Sequence, residues 1–579
     1  MSRAQRSEGP RRQVLLVGRR GRFLVGEPLF ERGPQVPLDR ADRRADGRIV
    51  LAELARGRAR VRRDLGRPAI ARDVVDALLW ERLGWRGFRS RHEQEAQAAA
   101  AAASREPGPR RDLTEMATFT VDPASARDFD DAVSAERDGD GIRLWIHIAD
   151  VAAHVKPGTG LDREALSRGN STYAPATVEP MLPLALSSDA CSLAAGVERL
   201  AVTTEVLLDA RGRPSDVSFY RSRILSQARL DYDQLDEIFA GRGDAPPAVA
   251  EPLDLCRRAA AALGGLRRGA ELEVDSREPE FSFDEEGNVS GARGVEQTEA
   301  HRLIERLMIL ANERVADLLE RKRVPATFRV HESPDPARVG RLFEQLASLD
   351  LPTPALPERP TPEEAGRLVA EASRAVASEA ARRGHGREAY TSLVLRSLSQ
   401  AHYSERNLGH AGLASPAYCH FTSPIRRYPD LVDHRALLAA MGEGEDPPSR
   451  EDVREASAHC SERERDAGRL ERDSDDVCAA FLLERELFEG GWHTEFEGEV
   501  SGVVGAGAFV RFAGELADVY EGFLPARRLR GERFELNEPE TALIGSKTGR
   551  KVRLGDPVSV RVEKVEAPRG RTDLEPADG

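Results

Sequence analysis

The sequence predicts an α+β protein: a mixed core of strands and long helices, flanked by a short, reduced N-terminal OB-like unit and a C-terminal OB-type β-barrel. Three observations predict it. Short apolar runs broken by Gly and Pro open the chain, and similar runs close it. Between them, period-two strand patterns are interspersed with loops. Long stretches of helical periodicity run through the same central region.

Residues 1–12 are polar and read as a disordered tail. Residues 13–92 hold the pieces VLLV, GRFLVG, GRIVLAEL and GRARVRR, spaced as in a small barrel, then a helix over 72–86 with Val75, Leu78, Leu79 and Leu83 on one side. Residues 93–111 (EQEAQAAAAAAS, then PGP) read as an Ala-rich linker, a helical tether without chemistry. Residues 112–489 form the central domain. LWIHIADVAAHV (144–155) and LAVTTEVLLD (200–209) read as strands. The spacing predicts a helix over 296–323 along Leu303, Leu307, Leu310 and Leu318, a strand in VPATFRVH (324–331), and helices in 335–385 around a Pro-rich turn. A long charged helix covers 451–489, with Val477, Phe481, Leu482 and Leu483 on its apolar face. Residues 490–579 carry short strands with Gly at the turns, as in a five-stranded barrel.

Composition narrows the function classes. The chain has 579 residues, is 32% charged and has a net charge of −13, a balance opposed to coating nucleic acid by bulk charge. The charge is unevenly spread: residues 1–111 carry about +12, 112–489 about −22 and 490–579 about −3. No apolar run approaches the ~18–20 residues that span a bilayer, and the N-terminus lacks a secretory h-region. The five scattered cysteines contain no CxxC pair and read as reduced thiols in a cytoplasmic protein.

Three segments carry chemistry. TVDPASARDFDDAV (120–133) places Asp122, Asp128, Asp130 and Asp131 within ten residues. So many carboxylates cannot all ionise at close range without a cation, and Mg²⁺ is bound by one or two carboxylates per ion when substrate phosphates complete its shell. A solvated acidic turn or a calcium loop is the alternative, although the order of an EF-hand loop is missing. HFTSPIRRYPDLVDHR (420–435) presents Arg426 and Arg427 after a Ser-Pro turn. Arginine suits phosphate contact and transition-state charge, and equally suits bridging acidic neighbours. RGNSTYAPATVEPMLP (168–183) holds Tyr173, which could stack on a base or pack on its neighbours.

Together with HIADVAAHV (147–155), PMLP…CSL (180–193), IERLMILAN (304–312) and FRVH (328–331), these segments resemble the catalytic RNB domain of the ribonuclease II/ribonuclease R exoribonuclease family, and 494–575 resembles its C-terminal S1 domain. The resemblance implies that Asp122, Asp128, Asp130 and Asp131 hold Mg²⁺, with Asp130 the most critical. It implies that Arg426 grips the scissile phosphate and that Tyr173 stacks on the 3′-terminal base. Glu471 and Glu305 would contact the last nucleotide. Three departures stand out. A second stacking aromatic is replaced by Leu272, Glu273 and Val274. An HFG motif appears as His410-Ala411-Gly412. Only the 111 residues of 1–111 precede the catalytic domain, room for at most one reduced OB-like unit.

The resemblance implies a monomeric, cytoplasmic hydrolase that degrades single-stranded RNA from its 3′ end to 5′-mononucleotides, in RNA decay and processing. The alternatives are a catalytically inactive RNA-binding regulator or scaffold, and an exonuclease of single-stranded DNA.

Overall fold

Five strands, β1 (Arg11–Arg20), β2 (Phe23–Pro28), β3 (Val36–Pro37), β4 (Ile49–Ala55) and β5 (Arg58–Gly66), form the first sheet, in the order β3-β2-β1-β4-β5. One parallel bridge, Leu38 to Ala59, joins the strand-3 end back to β5. Leu15, Val17, Val50, Ala52 and Ala59 fill the space between the strands. The computed structural model describes residues 11–39, 44–105, 108–267, 278–357, 360–443, 446–517, 520–529 and 531–577. Residues 1–10 of the tail read over 1–12, and the replaced aromatic position at Leu272, Glu273 and Val274, therefore lie outside the described residues, whereas Arg11 and Arg12 begin β1 and are not part of a disordered tail.

Helices α1 (Ala71–Leu83) and α2 (Ser90–Arg105) follow. α2 begins three residues earlier than the Ala-rich run suggested and is not a tether. Ala96 is fully buried in the central core, and Glu95 Oε1 accepts a hydrogen bond from Gly160 N at 2.9 Å. Small alanines let the helix lie close against its neighbours, so a run that looks featureless in sequence becomes a packing surface.

The central sheet has seven strands among the described residues: β6 (Arg111–Leu113), β7 (Phe119–Asp122), β8 (Asp131–Asp138), β9 (Gly141–Ala149), then, beyond two short strands described below, β12 (Glu198–Leu208), β13 (Pro214–Leu225) and β14 (Ala228–Asp231). Its order is β14-β7-β8-β9-β12-β13-β6, with parallel pairing only at its two edges. The strand expected over 144–155 stops at Ala149. Asp150 then accepts from Ala153 N and caps a short helix, α3 (Val151–His154), as an Asx side chain does at a helix start. Helix α4 (Gly160–Arg168) leads into the two-stranded hairpin β10 (Thr172–Ala174) and β11 (Thr177–Glu179).

The face of the sheet is covered by α5 (Tyr232–Phe239), α6 (Ala250–Arg267) and, after the hairpin β15 (Glu278–Phe283) and β16 (Val289–Val295), by α7 (Glu299–Lys322). α7 buries Leu303, Leu307 and Leu310 as the periodicity required. After β17 (Phe328–Val330), helices α8 (Pro336–Ser348), α9 (Pro362–Arg383) and α10 (Arg387–Ser397) make a separate apolar cluster that reaches Leu554. β18 (His402–Ser404), α11 (Tyr428–Met441) and the 41-residue α12 (Arg450–Gly490) complete the core.

The C-terminal strands β19 (Glu495–Val504), β20 (Gly507–Phe512) and β21 (Tyr520–Pro525) close a barrel with β25 (Pro557–Glu566) and β26 (Arg571–Pro576); a separate sheet of β22 (Phe534–Leu536), β23 (Ala542–Gly545) and β24 (Lys551–Arg553) is inserted in the chain between β21 and β25. The barrel's connectivity repeats that of the N-terminal sheet, including the parallel contact between the third and fifth strands. Both units pack along α12. Val74, Val75 and Leu79 of α1, Val477 and Leu482 of α12, and Phe496 and Val510 of the barrel share one core. The charged helix is thus only partly solvated: Glu486 is buried and accepts from Glu515 N, Leu516 N and the Tyr520 hydroxyl. All five cysteines are buried and unpaired. Among the described residues no helix is long and apolar enough to cross a membrane.

Candidate functional site

β7 ends at Asp122 and β8 begins at Asp131, so the loop between them is held at both ends by neighbouring strands of one sheet. Pro123 turns the chain away from the strand, and Arg229 donates to Pro123 O and Ala124 O. Ser192, from the CSL run, donates from Oγ to Arg127 O at 2.8 Å and accepts from Phe129 N at 3.0 Å. Ala149 N donates to Asp130 O. These bonds fix the backbone that carries Asp128 and Asp130.

Asp130 is 4% exposed. Its Oδ1 accepts from Ile425 N at 2.8 Å, while Oδ2 is buried with no hydrogen-bond partner. Asp122 Oδ2 is equally without a partner. Burial, then repulsion from Asp130, pushes the Asp122 carboxyl up to about 7. Burial, then Asp122, pushes Asp131 up to about 8. Burial raises Asp130 well above the usual range. Such carboxylates ionise together only beside a cation, so the two partnerless oxygens and the desolvated donors fit a hard divalent ion. Among the described residues no three His, Cys, Asp or Glu side chains form a ready-made metal cage. The remaining oxygens of a Mg²⁺ shell would come from water or phosphate.

The arginine pair divides its roles. Arg427 has a mostly covered side chain, 20% exposed, and donates from Nη2 to the buried Asp430 at 2.7 Å; the same carboxylate oxygen accepts from Ser423 N at 2.8 Å. Arg427 is therefore an acid-bridging residue that shapes the turn. The Arg426 side chain is 44% exposed; its Nε lies 3.5 Å from Asp130 Oδ2 and its Nη2 donates to Ser423 Oγ at 3.2 Å. The turn is docked on the preceding segment by Ser171 N to Arg426 O and Tyr428 N to Gly169 O, both 2.9 Å.

Tyr173 lies half-buried on β10. Its hydroxyl donates to Asp128 Oδ2 at 3.2 Å and its backbone N–H donates to Glu471 Oε1 of α12 at 3.3 Å. Burial raises the phenol, so it is a donor at neutral pH. Three distant segments thus meet at one tyrosine. Glu305 is placed differently: it is exposed on α7, one turn beyond His301. The His301 ring stacks on Tyr232, with centroids 4.0 Å apart.

Tyr232 is a site neighbour that sequence reasoning missed. Its phenol is raised by burial and then by the charges of Asp131 and Asp122. The cause is register: in the parallel β14–β7 pair Asp231 stands opposite Asp122, which brings the next residue beside the cluster. Nothing local in LDYDQL marks this; a long-range strand pairing creates it. Ser192 was visible only as part of a motif, without its role.

Fold and site together define a class: a mixed α/β core with an aspartate cluster around the buried Asp130 and a facing arginine, joined to an OB-type barrel. The RNB domain matches residues 110–443 and the S1 RNA binding domain matches 492–575; the chain belongs to the RNB family. It is 36% identical over 484 residues to ribonuclease R of Escherichia coli K12, covering 80% of this chain and 57% of that protein. It is 36% identical over 475 residues to ribonuclease R of Aquifex aeolicus, covering 80% and 64%. The chain thus aligns with roughly three fifths of the length of these relatives. Among solved structures, Mycoplasma genitalium RNase R in complex with ribose methylated single-stranded RNA aligns with a TM-score of 0.86 at 23% identity, covering 100% of this chain and 91% of that one. That likeness is one of fold.

Proposed function

We propose that this chain is a Mg²⁺-dependent hydrolytic exoribonuclease that shortens single-stranded RNA from the 3′ end and releases 5′-mononucleotides. The observation that carries the reading is the buried Oδ2 of Asp130, which has no hydrogen-bond partner and faces the half-exposed guanidinium of Arg426 at 3.5 Å. Membership of the RNB family and the relatives named ribonuclease R support it.

Asp122, Asp128, Asp130 and Asp131 would hold Mg²⁺. When bound, it would polarise the phosphoryl oxygens and activate the attacking water. The chain's own groups do the rest. Arg426, anchored by Ser423 and Asp130, offers free N–H donors to the equatorial oxygens of the scissile phosphate, where charge builds in the transition state. Tyr173 presents its ring to the 3′-terminal base, with its hydroxyl tied to Asp128 and its amide to Glu471, so base stacking and metal ligation share one scaffold. Glu471 and Glu305 flank the last nucleotide. The basic N-terminal unit, about +12 over residues 1–111, draws RNA towards a core of about −22, and the S1 barrel adds a second RNA surface.

We place the units at 13–92, 112–489 and 490–579, and the working form as a cytoplasmic monomer acting in RNA decay and processing. A 5′-labelled single-stranded RNA with Mg²⁺ should give a ladder shortening from the 3′ end. The DNA of the same sequence should remain intact. RNA bound without mononucleotide release, beside an active control, would identify an inactive RNA-binding protein and overturn the reading.

A further inference from the structure

The loop between α1 and α2 reaches the hairpin that carries Tyr173. The Arg86 guanidinium pairs with Glu179, donates to Asp76 Oδ1 at 2.9 Å and reaches Thr177 Oγ1 at 3.3 Å. Gly87 N donates to the second oxygen of Glu179 at 2.9 Å. Glu179 is 5% exposed, so this is a desolvated grip. It is reinforced by Arg168, which lies between the rings of Trp85 and Phe88 at 3.8 and 3.6 Å and donates to Gly87 O and Pro180 O.

The hairpin has two faces. Residues directly opposite in an antiparallel pair share a side, and successive residues alternate. Tyr173 pairs with Val178, whereas Thr172 pairs with Glu179 and Ala174 with Thr177. Arg86 therefore holds Thr177 and Glu179 on one face, and Tyr173 projects from the other towards Asp128. An isolated two-stranded hairpin of three residues per strand is marginal in water, so its orientation depends on what grips it. We propose that Arg86 is a positioning residue for Tyr173, making the segment between the N-terminal unit and the catalytic core part of the apparatus that seats the RNA 3′ end. The inference rests on the reading of Tyr173 as the base-stacking aromatic.

The test compares Arg86→Ala, Arg86→Lys, Thr177→Val and Tyr173→Ala in the full chain, with 5′-labelled single-stranded RNA and Mg²⁺. Hydrogen exchange is followed over 172–179. In Arg86→Ala, exchange over the hairpin should rise, the end product should change length in the direction seen for Tyr173→Ala, and kcat should fall about tenfold with KM nearly constant, because misplacing the terminal base misaligns the scissile bond. Arg86→Lys should restore part of kcat, and Thr177→Val should give a smaller change of the same sign. Wild-type product length and kcat in Arg86→Ala, beside an altered Tyr173→Ala, would overturn the positioning role and leave the Tyr173 reading standing. An unaltered Tyr173→Ala would remove both. Should Arg86→Ala not fold, Thr177→Val decides: wild-type product length and kcat there would overturn the role.

Discussion

Nε of Arg426 lies 3.5 Å from Oδ2 of Asp130, an oxygen buried without a hydrogen-bond partner. One residue along, Arg427 is mostly covered and paired with the fully buried Asp430. Adjacent arginines in a single turn thus face opposite environments, and this separates chemistry from architecture.

Asp130→Asn keeps an oxygen to accept the Ile425 amide but removes a charge. Cleavage should fall by at least ~10²-fold, the scale of losing one preorganised electrostatic group, with RNA affinity in a gel-shift nearly unchanged. Loss of binding with the residual rate per bound RNA intact would contradict the role.

The twin arginines should part in paired measurements. Arg426→Ala should cost roughly 10²–10³-fold in kcat and shift the urea midpoint little. Asp430→Asn leaves the mostly covered Arg427 uncompensated and should destabilise by about 3–5 kcal/mol. Equal stabilities of the two variants would refute this division.

Mg²⁺ should raise the thermal midpoint of the metal-free protein, since it binds only the assembled carboxylates. At a hundredfold excess over Kd the gain is about 2.7 kcal/mol. Asp122→Asn should blunt the shift; an identical shift would place the ion elsewhere.

Burial pushes His147 down to about 3 and His434 down to about 4. The unfolded chain takes these protons near 6.5 while the folded chain refuses them. The stability they contribute is present above 6.5 and is lost as pH falls towards 3–4, at up to ~1.4 kcal/mol per pH unit for each group. His147→Asn, which still faces Ser134 and Thr203, should flatten denaturation midpoints over that window. A slope equal to wild type would locate the acid sensitivity in other groups.

Arg20 and Arg22 are exposed at the β1–β2 turn of the N-terminal sheet. Reversing both to Glu should weaken RNA binding and reduce the salt slope by at least about two; an unchanged slope would place this surface outside the RNA path. Deleting residues 1–111 is a poorer test, because it takes Arg111 from the edge strand β6 and strips α1 from α12.

The helices α7 and α12, both terminal strand sets and the aspartate loop were legible because each rests on local periodicity or on residues close in sequence. Other features were not. The Ala-rich segment looked like a tether, since burial of alanine depends on what approaches it. The strand through 144–155 looked continuous because apolar alternation persists past the Asp150 cap. Arg426 and Arg427 looked equivalent, as burial is not written in residue type.

By itself the sequence determined the chemistry available here: four aspartates within ten residues, an arginine turn, a loop tyrosine and Gly-punctuated strands at both ends. Only the tertiary structure decided which of these meet. The Tyr173 hairpin is gripped from one side by Arg86 and joined from the other to Asp128 and Glu471, and Tyr232 reaches the cluster through the β14–β7 register. The reason is physical. Ionisation, hydrogen bonding and stacking act over a few ångströms, and the partners that come within that range are separated by tens to hundreds of residues along the chain.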